Sequence, residues 1–344
     1  MAVAEKLEKH GVRWAPITGI PLERRLQTLA VSGLIGLFFC SSAFMVYLFV
    51  FHPVLWPVLI VYLTFIVFDK APEYCGRRVE WVRYWKVWQY FCNYFPVQLI
   101  KECDLDPKGN YIFGYHPHGI ISFGAFSNFA TEGTGFSKKF PGITPYLLTL
   151  SGNFRFPFFR DLALMLGLTS ASRQSCERIL SAGPGHSLVL VVGGATESLS
   201  ARPGTNDLIL RKRFGFVRLA IKQKASLVPM FSFGENDLYD QFDNSEGSKI
   251  FEIQKKIQSI FGFTLPLFHA RGIFNYDVGI IPFRHPIATV VGKPIPVPEF
   301  EGDEPTQEQI VAVQKLYIEE LQSIYDKYKD VYAKDRKQEL RLIH

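Results

Sequence analysis

From Leu26 to Phe68 the chain carries no charged side chain, and this run limits what its N-terminal part can become. A helix of that length would reach roughly 65 Å at about 1.5 Å per residue. A bilayer's hydrocarbon core is roughly 30 Å thick, so one straight helix is too long. Two passes or a membrane-embedded hairpin fit. His52-Pro53 and Pro57 stand where the bend is needed, because proline removes a backbone donor. A signal peptide would have a shorter apolar core and a small-residue cleavage site. A helical hairpin buried in a soluble core is the alternative.

Both flanks of the run are basic. Lys6, Lys9, Arg13, Arg24 and Arg25 precede it, and Lys70, Arg77, Arg78, Arg83 and Lys86 follow it. Positive residues tend to stay cytoplasmic, so both ends are expected in the cytosol, with a short far-side turn around residues 51–55. The stretch from Val79 to Trp88 mixes tryptophan and tyrosine with cations. Such residues sit well at headgroup level, which predicts an interfacial helix. The expected organisation is a cytosolic segment over 1–25, a membrane hairpin over 26–68 and an interfacial helix with linker over 69–100. A catalytic domain over 101–335 and a tail over 336–344 complete it.

Hydrophobic residues make up 48% of the chain, high for a soluble enzyme, and the excess is concentrated in the uncharged run. The net charge of +6 suits an anionic membrane surface or a phosphorylated substrate. No basic run is interleaved with a nucleic-acid module, so nucleic acid is not an expected partner. The five cysteines are odd in number and lack CxxC spacing. That excludes a disulfide framework or zinc site and fits a reducing, cytosol-facing environment.

From about residue 100, strands alternate with helices. Strands are expected at Tyr111–Tyr115, Leu147–Leu150, Ser187–Val192, Leu227–Phe233 and Ile287–Val291. Pro229 suggests that the fourth is an edge strand or ends irregularly. Helices are expected at Ile120–Ala130, Asp161–Leu168, Ser172–Ser181 and Asp207–Lys224. One long amphipathic helix is expected over Thr306–Leu340. Such alternation predicts an α/β domain with a mixed or partly parallel sheet flanked by helices. Active residues gather at the carboxyl ends of strands in such sheets. His116-Pro117-His118-Gly119 and Gly193-Gly194-Ala195-Thr196-Glu197 both fall there.

A His-x-His pair could bind a metal, but no further ligands stand at tight spacing. A structural histidine pair is a second reading, and general acid–base work a third. A histidine that begins a helix sits near backbone N–H groups and a partial positive charge, which keeps a neutral base available. The same N–H groups could hold an oxyanion, with Gly119 letting a carbonyl approach. Glu197 is the expected carboxylate on the other nitrogen of the base. No Gly-x-Ser-x-Gly elbow supplies a nucleophile. Direct transfer from an activated thioester therefore fits best, with its phosphates met by Arg160, Arg173, Arg211, Lys212 and Arg213.

At these residues the chain resembles the type-2 diacylglycerol acyltransferase family, which also holds monoacylglycerol and wax-alcohol acyltransferases. The resemblance runs from roughly residue 22 to 335. It rests on Tyr94-Phe95-Pro96, on YIFGYHPHGI at 111–120 and on VVGGATES at 191–198. A long block opens at Arg213-Phe214-Gly215-Phe216 and continues through Leu227-Val228-Pro229 and Phe233-Gly234-Glu235, and FHARGIFNYDVGIIPFRHPI closes the series at 268–287. Lys224 and Ala270 stand where the family usually has glycine. The His-x4-Asp motif of broader glycerolipid acyltransferases is missing.

The resemblance implies acyl-CoA as donor substrate, diacylglycerol as acceptor, triacylglycerol as product and no cofactor. It also implies residence in the endoplasmic reticulum with transfer to lipid droplets. His118 would be the principal catalytic histidine, His116 a support and Glu197 a partner. A homo-oligomer is compatible with this reading.

Overall fold

The computed structural model describes residues 11–241 and 268–343, with Glu252 and Lys256 between them. Lys6 and Lys9 of the basic flank lie outside the described residues.

Strands β1 (Gln98–Lys101), β2 (Tyr111–His116), β3 (Thr144–Thr149), β4 (Leu168–Ser170), β5 (His186–Val191), β7 (Ser226–Phe233) and β10 (Ala288–Val291) form one sheet. Its order is β1-β10-β7-β2-β5-β3-β4. The five strands from β7 to β4 run parallel, β10 runs against β7, and β1 runs parallel to β10. Two short pairs stand apart: β6 (Asp207–Ile209) with β11 (Arg341–Ile343), and β8 (Asp240–Gln241) with β9 (Phe268–His269).

The helices are α1 (Leu22–Phe51), α2 (Trp56–Phe68), α3 (Lys86–Tyr94), α4 (Phe159–Met165), α5 (Arg173–Leu180), α6 (Gly215–Lys222) and α7 (Gln307–Tyr332). Both faces of the sheet are covered, as a parallel sheet requires. Phe113, Tyr115, Val228 and Met230 point into one core with Phe91, Phe95 and Phe129. Ile112, Leu227 and Phe231 alternate into the other, with Val217, Tyr317 and Ile324 of α6 and α7.

The N-terminal helices do not form a soluble core. Only 17% and 6% of their apolar windows are buried inside the protein, so their side chains face outward. At 30 residues α1 is about 45 Å long, more than a bilayer core needs. The break falls at His52–Leu55, where Pro53 opens a short turn and the Trp56 indole N–H donates to the Phe49 carbonyl at 2.7 Å. Phe44 of α1 and Tyr62 of α2 both pack on Phe158, each at 5.7 Å. The two legs therefore return to one segment of the α/β domain and form a hairpin.

Several elements differ from the sequence reading. Ile120–Ala130 is not a helix of normal length. It is a turn at Phe123–Ala125 followed by a π-turn at Phe126–Ala130. Phe123, Ala125, Phe129 and Ala130 are all buried while Ile121 is exposed, so burial does not follow the one-sided pattern of an amphipathic helix. Asp207–Ile209 is a strand, and α6 begins only at Gly215. Leu208 and Leu210 alternate inward there with a period of two. Strand β7 is interior rather than at an edge. The Pro229 carbonyl accepts the Gly292 N–H at 2.9 Å, so its donor-less nitrogen points where the ladder to β10 has ended. Helix α7 starts at a capping box on Thr306 and Gln309 but stops at Tyr332, because Arg341–Ile343 turns away to pair with β6. Helix α4 ends at Met165, and Gly167 at φ +84° turns the chain into β4. Lys224 takes φ +51°, which explains why a glycine would suit that position.

The 79–88 stretch is two pieces hinged at Tyr84 and Trp85. Trp81, Tyr84 and Trp85 are exposed, while Arg83 between them is fully buried. Arg83 donates to the carbonyls of Ala130 and Leu166 at 2.6 Å and of Phe129 at 3.0 Å, and pairs with Glu132 at 3.2 Å. Removing such a cation leaves the Glu132 carboxylate without its counter-charge, held among the described residues by Ser137 alone, and takes a donor from three carbonyls. Arg83→Met is expected to cost about 3–5 kcal/mol. A thermal midpoint in detergent that matches wild type would contradict this role.

Candidate active site

Strands β2, β5 and β7 are adjacent and parallel, so their following loops share one edge of the sheet. His116 is the last residue of β2 and is fully buried. The Tyr317 hydroxyl donates to the Gly114 carbonyl at 3.2 Å, which leaves its lone pairs for the His116 Nε2–H at 2.9 Å. Among the described residues Nδ1 has no partner, and burial pushes the pKa of His116 down to about 3. His116 is thus a neutral clamp between β2 and α7. A side chain on Gly114 would place its Cβ 1.9 Å from the Tyr317 hydroxyl, so only glycine fits. Phe216, near the start of α6 just after Gly215, packs on Tyr317 at 5.1 Å and closes this clamp. Nothing in the sequence flags Tyr317, because it lies 201 positions from His116.

His118 is half-buried on the loop after the cis His116–Pro117 bond. Its Nδ1 lies 3.1 Å from the Gly119 carbonyl. A carbonyl can only accept, so Nδ1 carries the proton and Nε2 keeps its lone pair. Burial lowers the pKa of His118, opposed by its contact with the Gly119 carbonyl. The expected helix start is not the cause, because the turn that follows has only three residues.

Glu197 corrects the sequence reading. Its carboxylate does not meet the imidazole of His118. Oε1 accepts the main-chain N–H of His118 at 2.6 Å, and Oε2 accepts the Ile209 N–H at 2.8 Å. It therefore ties the β2 loop to the start of its own short helix and to β6. A Cβ on Gly193 would lie 2.1 Å from this carboxyl carbon, so the first glycine makes room for it. Burial pushes the pKa of Glu197 up to about 7, against the two N–H bonds and the charge of Arg213.

A second buried carboxyl went unassigned in the sequence reading. Glu235 follows β7, and its Oε2 accepts the Tyr115 hydroxyl at 2.6 Å and the Gly124 N–H at 3.0 Å. Its Oε1 is buried without a partner among the described residues. Gly119 takes φ +61°, and a Cβ there would come within 2.8 Å of Glu235 Cγ. Glu197 and Glu235 thus bracket the His118-Gly119 turn. Behind Glu235, Tyr115, Ser232, Thr289 and Asn128 form a buried hydrogen-bonded chain. Burial pushes the pKa of Glu235 up to about 7.

The basic residues divide. Arg160 is no phosphate ligand: it is fully buried, bonded to Asp69 and to the Phe154 carbonyl, and it locks the hairpin to α4. Arg173 is exposed and pairs with Glu177 at 2.7 Å. Arg211 and Lys212 are exposed in the turn before α6, and Arg213 donates to the Gly193 carbonyl at 3.1 Å. Gly194, at φ +63°, lies beside Arg213. The Tyr94-Phe95-Pro96 block reaches this edge because β1 runs antiparallel to β7 through β10. Phe95 stacks on Phe123 at 5.3 Å, and the Tyr94 hydroxyl donates to the Pro282 carbonyl at 2.6 Å.

The family model for diacylglycerol acyltransferase matches residues 48–343. This chain belongs to the diacylglycerol acyltransferase family. Diacylglycerol O-acyltransferase 2B of Umbelopsis ramanniana is 62% identical over 96% of this chain and 95% of its own length. Human diacylglycerol O-acyltransferase 2 is 46% identical over 91% of this chain and 81% of its own. Bovine 2-acylglycerol O-acyltransferase 1 is 48% identical over 94% of this chain and 96% of its own. Among solved structures, the 1-acyl-sn-glycerophosphate acyltransferase PlsC of Thermotoga maritima covers 88% of this chain and 97% of its own at 10% identity. Its TM-score is 0.38, a likeness too slight to argue from. As a member of this family the chain is an acyltransferase.

The two raised carboxyls have a measurable consequence for this acyltransferase. Each holds its proton in the fold up to about pH 7, whereas unfolded it would lose it near 4.5. The stability each contributes is complete below the unfolded value and is lost as pH rises through about 7. The loss is roughly 3 kcal/mol per group across that window. Glu235→Gln keeps an acceptor oxygen and has no charge to bury, so its denaturation midpoint should depend less steeply on pH than that of wild type. Equal slopes would show that Glu235 does not titrate there.

Proposed function

We propose that this chain is an acyl-CoA:diacylglycerol O-acyltransferase that makes triacylglycerol, with His118 as general base. The bare Nε2 of a neutral histidine, on a loop at the carboxyl edge of a parallel sheet, carries the reading. The names of the relatives supply the acceptor and product classes.

The diacylglycerol hydroxyl gives its proton to His118 Nε2, and its oxygen forms a bond to the thioester carbonyl carbon. The carbonyl oxygen takes up the negative charge. The main-chain N–H groups of Gly119 and Ile120 are candidate donors to it, since that of His118 is already held by Glu197. Collapse breaks the carbon–sulfur bond. The CoA thiolate leaves and recovers the proton from the imidazolium, so the base is restored. Arg211, Lys212 and Arg213 are the cations best placed for the donor's phosphates. His116 and Glu197 act through the main chain and the clamp, not on substrate. The hairpin holds the domain at the bilayer, where the acceptor dissolves. On this reading the enzyme resides in the endoplasmic reticulum membrane, its α/β domain faces the cytosol, and it passes to lipid droplets.

Monoacylglycerol is the second reading for the acceptor, because a 2-acylglycerol acyltransferase is as similar as several of the diacylglycerol enzymes. A long-chain alcohol would use the same machinery. Purified protein in lipid nanodiscs, given labelled acyl-CoA and each acceptor in turn, should acylate diacylglycerol fastest. His118→Ala should lower that rate by about 10²–10⁴-fold. Retention of most activity would remove His118 from the base role, and faster turnover of monoacylglycerol would replace the acceptor.

A further inference from the structure

We infer that residues 12–17 and the loop at 272–280 form a second membrane contact, separate from the hairpin, that seats the active-site edge against the lipid surface. The two segments are built as one unit. Trp14 bridges Asn275, the Ala15 N–H donates to the Phe274 carbonyl at 2.8 Å, and the Tyr276 N–H donates to the Arg13 carbonyl at 3.0 Å. Arg13 pairs with Asp277 at 2.6 Å. The Asn275 side chain accepts the N–H groups of Asp277 and Val278 at 3.1 and 2.8 Å, which fixes the tip of the loop. A loop so ordered would ordinarily turn its apolar side chains inward.

Here they face out. Ile17 is 87% exposed, Phe274 73% and Trp14 70%, with Ile273, Val278 and Ile280 exposed beside them. Scattered apolar residues on a surface are ordinary, whereas a contiguous patch with a tryptophan marks an interface. The occupant follows from continuity with α1. The Arg25 side chain bonds the Ile17 carbonyl, and Arg284 reaches Gln27 and the Arg24 carbonyl at 2.5 and 2.9 Å. The patch is thus fastened to the first turns of α1, most of whose apolar surface faces outward, where that helix would enter the bilayer. Arg24 and Arg25 are exposed around it, and they suit anionic headgroups. It is also close to the chemistry. The Phe283 N–H donates to the Leu238 carbonyl at 2.8 Å, at the end of the turn that begins with Glu235. This surface does not depend on His118 being the base.

The test uses the full chain in nanodiscs of phosphatidylcholine and phosphatidylserine. The accessible cysteines Cys40, Cys75 and Cys103 are replaced by alanine, and a nitroxide is attached at Phe274→Cys or Ile17→Cys. Lys315→Cys on the exposed face of α7 serves as the water reference. Relaxation by oxygen and by a water-soluble nickel complex reports depth. Both patch labels should favour oxygen over nickel severalfold more than the α7 label does. Nickel accessibility equal to that at residue 315 would overturn the proposal. Strong dipolar broadening between Phe274→Cys labels with nickel excluded would also overturn it, because a second copy would then cover the patch. A further variant, Phe274→Ser with Ile273→Ser, should lower turnover of a bilayer-dispersed acceptor more than that of a short-chain, water-soluble one. Equal loss on both would mean the loop serves folding alone.

Discussion

One carboxylate sets the geometry of the active-site edge. Glu197 accepts two main-chain N–H groups, that of His118 on the loop after β2 and that of Ile209 in β6. Without it the His118 loop would have a backbone donor facing a buried space, which is costly. With it, the register of β2 against β5 fixes where His118 stands. Gly193 is shaped by the same need, since a side chain there would collide with the carboxyl group. Glu235 backs the turn from the other strand, and Gly119 lies against it. The logic is mechanical: two acids hold the main chain, and neither carboxyl meets the His118 imidazole.

The same economy appears in the cations. Arg83 and Arg160 are fully buried and spend their donors on carbonyls and on the acids Glu132 and Asp69. They join the membrane elements to the α/β domain, so hairpin, α3 and sheet hold a fixed relation. On the proposed reading, a lipid acceptor then meets His118 at a height above the bilayer that the fold sets. Arg211 and Lys212, by contrast, are exposed in the turn before α6.

Much of this was legible in the sequence, and the misses have physical causes. The uncharged run announced the two apolar helices α1 and α2, and the run Ser187–Val192 announced β5, because charge and periodicity are local properties. The His-Pro-His-Gly segment was found at a strand end for the same reason. Glu197 was found, but its partner was misassigned from imidazole to backbone. Sequence names side chains, whereas N–H groups are common to nearly every residue. Tyr317 and Glu235 were missed as site residues because their roles arise from strand order, which brings distant segments together. Arg160 was read as a phosphate ligand because nothing local distinguishes a buried arginine from an exposed one. The helix expected at Ile120–Ala130 failed because Ser122–Ala130 is buried almost throughout, with only Phe126 partly exposed.

The central claim is that Glu197 holds the main chain while burial alone keeps the His118 imidazole neutral. Solid-state nitrogen NMR of His118 in bilayers, titrated in wild type and in Glu197→Gln, tests it most directly. In both proteins the ring should be neutral, protonated at Nδ1, and should titrate below 6.5. A wild-type midpoint above 6.5 that falls on Glu197→Gln would show a carboxylate on the imidazole and contradict it.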